Sequence, residues 1–333
     1  MGTALVTGGA GFLGSSVVRE LLEADEGRVR VLALPAEPLD NLEGLDVEIV
    51  HGDVTDPDAA LSATDGIATM YHCAAVYKDY MPDPWPMYEV NLRGTFNMLE
   101  AARRNEVATT VYTSSITALG RPHPGGLTDE TARYEAWDVD FPYTRTKYLS
   151  QQLAEDFAAW GLDVRIVCPG VIFGPRDIGP TPSGRIIINA LSEHAPPVTT
   201  EGGSSYADVR DVAKVHLLAA TKGQPGRVYA ATAHNLDNRA FLRAILDAAG
   251  RDPDRRLLKV PGPVMSRLAR ALEAVAVRKG DEPDMTAAML DYSRVPLFVD
   301  NRRSIDELGA TYRPIDETIR DAIADFTARG LIT

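Results

Sequence analysis

The chain opens with an apolar run, Thr3-Ala-Leu-Val-Thr7, followed at once by Gly8-Gly-Ala-Gly-Phe-Leu-Gly14. Glycines 8, 11 and 14 sit directly between a strand pattern and a helix pattern, which constrains the fold more than any other feature. Glycine meets three demands there: the strand must turn sharply, the backbone must approach a pyrophosphate closely, and the helix must pack tightly on the sheet. The helix N-terminus then offers N–H groups and the positive end of its dipole to phosphate. Glycines 8, 11 and 14 are spaced Gly-x-x-Gly-x-x-Gly rather than Gly-x-Gly-x-x-Gly, and a glycine triplet alone is a weak signal. Its place between strand and amphipathic helix turns it into a dinucleotide site, with Gly8, Gly11, Phe12, Leu13 and Gly14 as the expected cradle.

The βα alternation continues. Apolar runs at Thr3–Val6, Val29–Leu34, Val47–Val50, Thr69–His72, Thr110–Tyr112 and Val164–Cys168 read as strands. Helical patterns lie between them at Phe12–Ala24, Asp56–Ser62, Met87–Arg104 and Tyr143–Trp160. Right-handed crossovers then predict an α/β fold, a Rossmann-type doubly wound parallel sheet. Ala207–Thr221 returns to helix and Arg227–Ala231 to strand. Residues 1–172 and 207–233 are expected to form the dinucleotide-binding domain. Residues 173–206 and 234–333 should form a smaller, mostly helical substrate-binding lobe, with Pro261–Lys279 as a lid or dimer-contact helix or an ordinary packed one.

Charge narrows the partners. With 34 basic and 47 acidic side chains the net charge is −13, which argues against nucleic acid and anionic membranes. No apolar stretch is long enough to span a bilayer, and the N-terminus shows no basic leader. Cys73 and Cys168, each after an apolar run, are expected as buried reduced thiols, in keeping with a cytoplasmic protein. Histidines 51, 72, 123, 194, 216 and 234 show no ligand spacing, so no metal is expected. A Gly-x-Ser-x-Gly elbow is lacking, which weakens a hydrolase reading.

Tyr143 and Lys147, four apart, share one helix face. An ammonium beside a phenol favours the phenolate, so such a tyrosine can serve as acid toward a ketone or base toward an alcohol. Ser114-Ser115 ends the fifth strand, at the carboxyl edge where ligands bind in open α/β sheets. After the third strand, Asp53 could accept from an adenine amino group with Val54 on the ring, or simply cap a helix.

Together with Thr7–Gly14 and His51-Gly-Asp53, several further segments resemble the extended short-chain dehydrogenase/reductases. They are His72-Cys-Ala-Ala75, Asn91-Leu-Arg-Gly94, Val111–Ser115, Tyr143–Lys147, Pro169–Pro175 and Tyr206–Val212. The resemblance implies Ser115 as the substrate-orienting hydroxyl, with Ser114 as its substitute. It implies Tyr143 as the acid/base, Lys147 as the ribose-binding lysine, Asn91 as the helix asparagine of the catalytic set, and Ala74 and Pro169 along the cofactor. Within the family the chain looks most like the dihydroflavonol-reductase-like branch. A homodimer through Met87–Arg104 and Tyr143–Trp160 is what the resemblance implies.

Two departures point to simple redox chemistry. Nucleotide-sugar epimerases of the family carry an arginine just before Tyr206–Val212, where this chain has Gly203-Ser-Ser205; Arg185 is the distant substitute. The 4,6-dehydratases follow the active-site hydroxyl with Asp-Glu, where this chain has Ile116-Thr117. Residues 31–77 hold nine acidic side chains and no Lys or Arg. A 2′-phosphate would enter a negative lobe at Leu34 unless Arg30 reached it, whereas Glu37 or Asp40 could accept from a 2′-hydroxyl. NAD is thus favoured over NADP.

Tyr77, Tyr80 and Trp85 after the fourth strand, with Trp137 and Phe141 before the catalytic helix, are expected pocket walls for an apolar substrate, or packing for their own loops. The expected function is NAD(P)-dependent reduction of a small, largely apolar ketone or aldehyde, or oxidation of the matching secondary alcohol. The alternatives are an NAD-retaining epimerase of a sugar-like alcohol and, last, a dinucleotide sensor without chemistry.

Overall fold

The structure, a computed structural model, describes residues 2–332 apart from 26, 79, 121–125, 134–140, 194–196, 253–256, 281–282 and 284–285. Trp137, His123 and His194 therefore lie outside the described residues. Seven parallel strands form the central sheet: β1 (Thr3–Thr7), β2 (Val29–Ala33), β3 (Glu48–His51), β4 (Ile67–His72), β5 (Thr109–Thr113), β6 (Val164–Pro169) and β10 (Val228–Ala231). Their spatial order is β10-β6-β5-β4-β1-β2-β3, the doubly wound arrangement.

Alternation within β1 shows why these runs need helices on both faces. Leu5 joins one core, with Met98, Leu99 and Phe157 from helices α4 (Thr95–Arg104) and α5 (Pro142–Ala159). Ala4 and Val6 join the other, with Val17, Val18 and Leu21 of α1 (Phe12–Glu23) and Val212, Val215 and Ala219 of α7 (Val209–Lys222). Full burial of each such Val or Leu side chain contributes about 1.5–3 kcal/mol, so neither helix layer is dispensable.

A third core belongs to the lobe. Phe173, Ile187, Tyr206, Phe241 and Ile319 pack together there, with the Tyr206 and Phe241 rings stacked at 4.0 Å. The lobe also carries a three-stranded sheet that the mostly helical expectation omits: β7 (Val171–Phe173), β9 (Gly203–Asp208) and β11 (His234–Asp237), ordered β11-β9-β7. Residues 207 and 208 complete β9, so the following helix begins at Val209, where the Asp208 carboxylate accepts from the Arg210 N–H. The chain then returns toward the first domain. Leu297 and Val299 enter the α4–α5 core and Leu308 and Ala310 the α1–α7 core, so this stretch stands apart from the rest of 234–333.

The Met87–Arg104 pattern is continuous but not uniform. Residues Trp85–Tyr88 form α3 and Thr95–Arg104 form α4, and between them Glu89–Gly94 widens into a π-helical turn. Widened turns of this kind recur at functional sites.

Candidate active site

The glycine loop lets β1 and α1 approach closely. Gly8 has φ +65°, and a Cβ there would stand 2.8 Å from the Ala74 Cα. A Cβ on Gly14 would stand 2.1 Å from the Gly8 carbonyl oxygen, so strand and helix can approach only without side chains. Gly11 precedes α1 with no side-chain cap and no acid in the first turn, leaving its N–H groups for an anion. These residues fit the pyrophosphate of a dinucleotide.

From the cradle a cavity of about 380 Å³ runs along the carboxyl edge of the sheet into the lobe. Its lining includes Gly8, Gly11, Phe12, Leu13, Gly14, Glu37, Ala74, Tyr77, Ser114, Ser115, Phe141, Tyr143, Lys147 and Pro169. Sequence reasoning gave no pocket role to Thr117 beside Ser115 or to Val171 within Pro169–Pro175, and it missed Ile186, Met289, Tyr292 and Leu297 on the far wall, which no local motif marks. Lys147 is the one cation among the described lining residues. Tyr80 lines an adjoining cleft that also holds Glu37, Asp40 and Arg185.

Besides Tyr80, five expected site residues do not line the cavity. Leu34 is 47 % exposed, and its N–H donates to the Glu37 carboxylate at 3.1 Å, so Glu37 is the group at the cavity wall. Asp53 accepts from the Thr55 N–H at 2.8 Å, and Asn97 donates to the carbonyl oxygens of Val54 and Thr55, fixing this turn beside the site. Trp85 is 63 % exposed and stacks on Tyr88; as the first residue of α3 it has left the loop that holds Tyr77. Asn91 is buried in the π-turn, where it holds the backbone of Val76 and the hydroxyl of Thr146. It therefore positions rather than touches a ligand in the cavity.

Strand ends and one helix place the candidate reacting groups. Ser115 caps the short turn Ile116–Ala118, and its Oγ accepts from the Thr117 N–H (3.2 Å) and hydroxyl (3.0 Å). With two acceptor positions filled, its own proton is available to a ligand oxygen. Ser114, by contrast, donates to Gln151 Oε1 at 2.6 Å, which commits it to the protein. Tyr143 stands one turn before Lys147 on α5, with the Tyr77 ring 4.6 Å and the Phe141 ring 6.3 Å from its own.

Lys147 Nζ donates to the Thr113 carbonyl at 2.9 Å and lies 5.6 Å from the Tyr112 ring centroid. Burial lowers its pKa from 10.5 to about 8. The same desolvation raises the Cys73 thiol to about 11 and Cys168 to about 12, and holds His72 down at about 3. The site thus has one cation, uncharged thiols and a neutral buried histidine. Among the described residues no group of His, Cys, Asp and Glu could hold a metal, and no helix is long and apolar enough to cross a membrane.

A doubly wound sheet with a glycine cradle at β1–α1 and a Ser, Tyr and Lys set at its carboxyl edge defines an extended short-chain dehydrogenase/reductase, an NAD-binding oxidoreductase class. Residues 4–231 match the NAD dependent epimerase/dehydratase family, and the chain belongs to it. It is 31 % identical to a putative dihydroflavonol 4-reductase of Synechocystis sp., over 98 % of this chain and 95 % of that protein. It is 32 % identical to sterol demethylase protein B of Methylococcus capsulatus, over 99 % and 100 % respectively. The crystal structure of gox2253 superposes with a TM-score of 0.88 at 33 % identity, covering both chains fully.

Proposed function

We propose that this protein interconverts a largely apolar ketone or aldehyde and its alcohol with a nicotinamide dinucleotide, preferentially NAD. The observation that carries the reading is the shared cavity: Ser115, Tyr143 and Lys147 face the same space as the glycine cradle, and its far wall is apolar. When bound, the nicotinamide would supply or accept the hydride. Ser115 donates its free proton to the carbonyl oxygen and orients it. Tyr143 gives its phenolic proton to that oxygen in reduction and takes it back in oxidation. Lys147 holds positive charge at the site, which favours the phenolate that remains.

Substrate class follows from the walls. Gly203 and Ser204, which line the cavity, offer no cation for a diphosphate, and Arg185 stands in the adjoining cleft. Ile116 and Thr117 offer no acid for water elimination. An apolar carbonyl substrate also accords with the names of the Synechocystis and Methylococcus relatives. For the cofactor, Glu37 at the cavity wall suits a 2′-hydroxyl and repels a 2′-phosphate. Arg30 gives no counterweight, because its guanidinium serves the Ala63 and Asp65 carbonyls and Glu48. A homodimer through α4 and α5 is part of this reading, supported by Phe96 (45 % exposed) and Trp160 (70 % exposed) on their outer side.

The test is nicotinamide absorbance with NADH and NADPH separately against aliphatic, aryl and fused-ring ketones and aldehydes. Net oxidation that falls at least about 100-fold in Tyr143→Phe is the expected result. Full turnover in that variant on a true substrate, or tightly held cofactor with no net oxidation by any carbonyl, would refute it.

A further inference from the structure

A buried hydrogen-bonded chain joins the glycine cradle to the helix of Tyr143, and its polarity can be worked out. Thr95 Oγ1 donates its one proton to the Asn91 carbonyl at 2.7 Å. Its contact with His72 Nε2 at 3.1 Å must then run the other way, with Nε2–H as donor. His72 Nδ1 is left as an acceptor and takes the hydroxyl proton of Thr7 at 2.7 Å. Thr7 Oγ1 in turn accepts from the Ala74 N–H at 3.2 Å, against the Cα on which Gly8 closes. Beyond Asn91 the chain continues through the Asn91 amide to the Thr146 hydroxyl (3.1 Å), which donates to the Tyr143 carbonyl (2.9 Å). Thr7, His72, Thr95, Asn91 and Thr146 are all essentially inaccessible to solvent.

We propose that His72, fixed as the neutral Nε2-protonated tautomer, is a positioning residue that couples the glycine cradle to the helix carrying Tyr143. It acts through Thr95 and Asn91, and it rests on the reading of Tyr143 as acid/base. This donor pattern satisfies every member, so the chain fixes the imidazole tautomer, and the imidazole in turn sets the separation of β1 and β4 from the π-turn. That separation sets where a bound nicotinamide lies relative to the Tyr143 hydroxyl. A misplacement of the order of an ångström is enough to slow such a reaction strongly.

Two measurements on the full chain with bound NADH test the coupling. In ¹⁵N-histidine spectra, His72 should show a protonated Nε2 and an unprotonated Nδ1 that do not change between pH 5 and pH 9, both roughly chosen limits well above its titration. Thr95→Val removes the acceptor of Nε2–H at nearly constant shape. It should raise the NADH Kd and lower kcat by about tenfold each while substrate KM stays put, and Thr95→Ser should restore both. A folded Thr95→Val with wild-type Kd and kcat, or a His72 protonated on Nδ1, would overturn the proposal. If Thr95→Val does not fold, Thr7→Val with Thr7→Ser as its rescue reads the other end of the same chain. The tautomer and the NADH Kd need no turnover, so they decide this point even if no carbonyl substrate is found.

Discussion

Replacing Lys147 by methionine should abolish activity and yet stabilise the protein, and the size of the second effect can be worked from the site. Lys147 is 4 % exposed, and burial brings its pKa from 10.5 down to about 8. At about 1.4 kcal/mol per tenfold, holding the charged form in the folded state costs about 3 kcal/mol. The bond from Nζ to the Thr113 carbonyl returns about 1 kcal/mol, which methionine forfeits. A net gain of about 2 kcal/mol remains. Unfolding entropy for 333 residues is about 0.7 kcal/mol/K, so Tm should rise by about 3 °C at pH 7. The sign changes with pH. Below about pH 8 both folded and unfolded wild type carry the proton and the full penalty applies. Between about 8 and 10.5 the unfolded chain binds more protons, so wild-type stability rises with pH while that of the methionine variant does not follow. The two curves should therefore converge and cross near pH 10, roughly where the penalty has fallen to about 1 kcal/mol, the amount that the hydrogen bond returns. Calorimetry of both proteins without added nucleotide, from pH 6.5 to 10.5 in rough half-unit steps, measures this. A variant less stable than wild type at pH 7, or a gap that stays constant with pH, would refute the desolvation argument.

Other consequences are quicker to check. Glu37→Gln should move the NADPH-to-NADH ratio of kcat/KM toward NADPH by about tenfold, since it removes one charge at the ribose end of the cavity; an unchanged ratio removes Glu37 from cofactor choice. Cys73 and Cys168, with thiols raised to about 11 and about 12, should resist a disulfide reagent at pH 8 and react when the chain is unfolded. Cys73 is only half-buried and lines the cavity, unlike the buried Cys168 and the buried thiol expected of it, so rapid labelling of the native protein would mean that the reagent reaches Cys73 through the cavity despite its raised pKa. Phe96→Glu with Trp160→Glu should turn a dimer into a 36.1 kDa monomer by light scattering while leaving Tm within a few degrees. A dimer that survives both changes uses another face.

What could be read from the sequence, and what could not, follows from the range of the signals. Each inner strand of the central sheet shows its own apolar run because it is buried on both faces, while the edge strand β3 is mostly exposed; the Gly8–Gly14, Ser115 and Tyr143–Lys147 segments are local, so all were legible. The strand β9 was not, because Gly203-Ser-Ser-Tyr has no apolar alternation. Its burial is satisfied by polar contacts instead: Ser205 is fully buried, donates to Asn235 and accepts from the Val299 N–H, partners 30 and 94 residues away. The π-turn at Glu89–Gly94 was equally silent, since one extra residue per turn leaves the apolar spacing of Met87–Arg104 almost unchanged. Trp85 shows the opposite error. An aromatic-rich segment after a strand reads as a pocket wall, but a helix begins at Trp85 and turns its ring to solvent. The far wall of the cavity comes from four separate stretches, at Val171, Ile186, Met289–Tyr292 and Leu297, brought together only by the folded lobe. On the proposed function, chemistry and cofactor are thus written in short local motifs beside the sheet, while substrate choice is written in a surface that exists only after the lobe has packed. A search for the substrate should therefore vary Ile186, Met289 and Tyr292, because changes there alter what enters without touching Ser115, Tyr143 or Lys147.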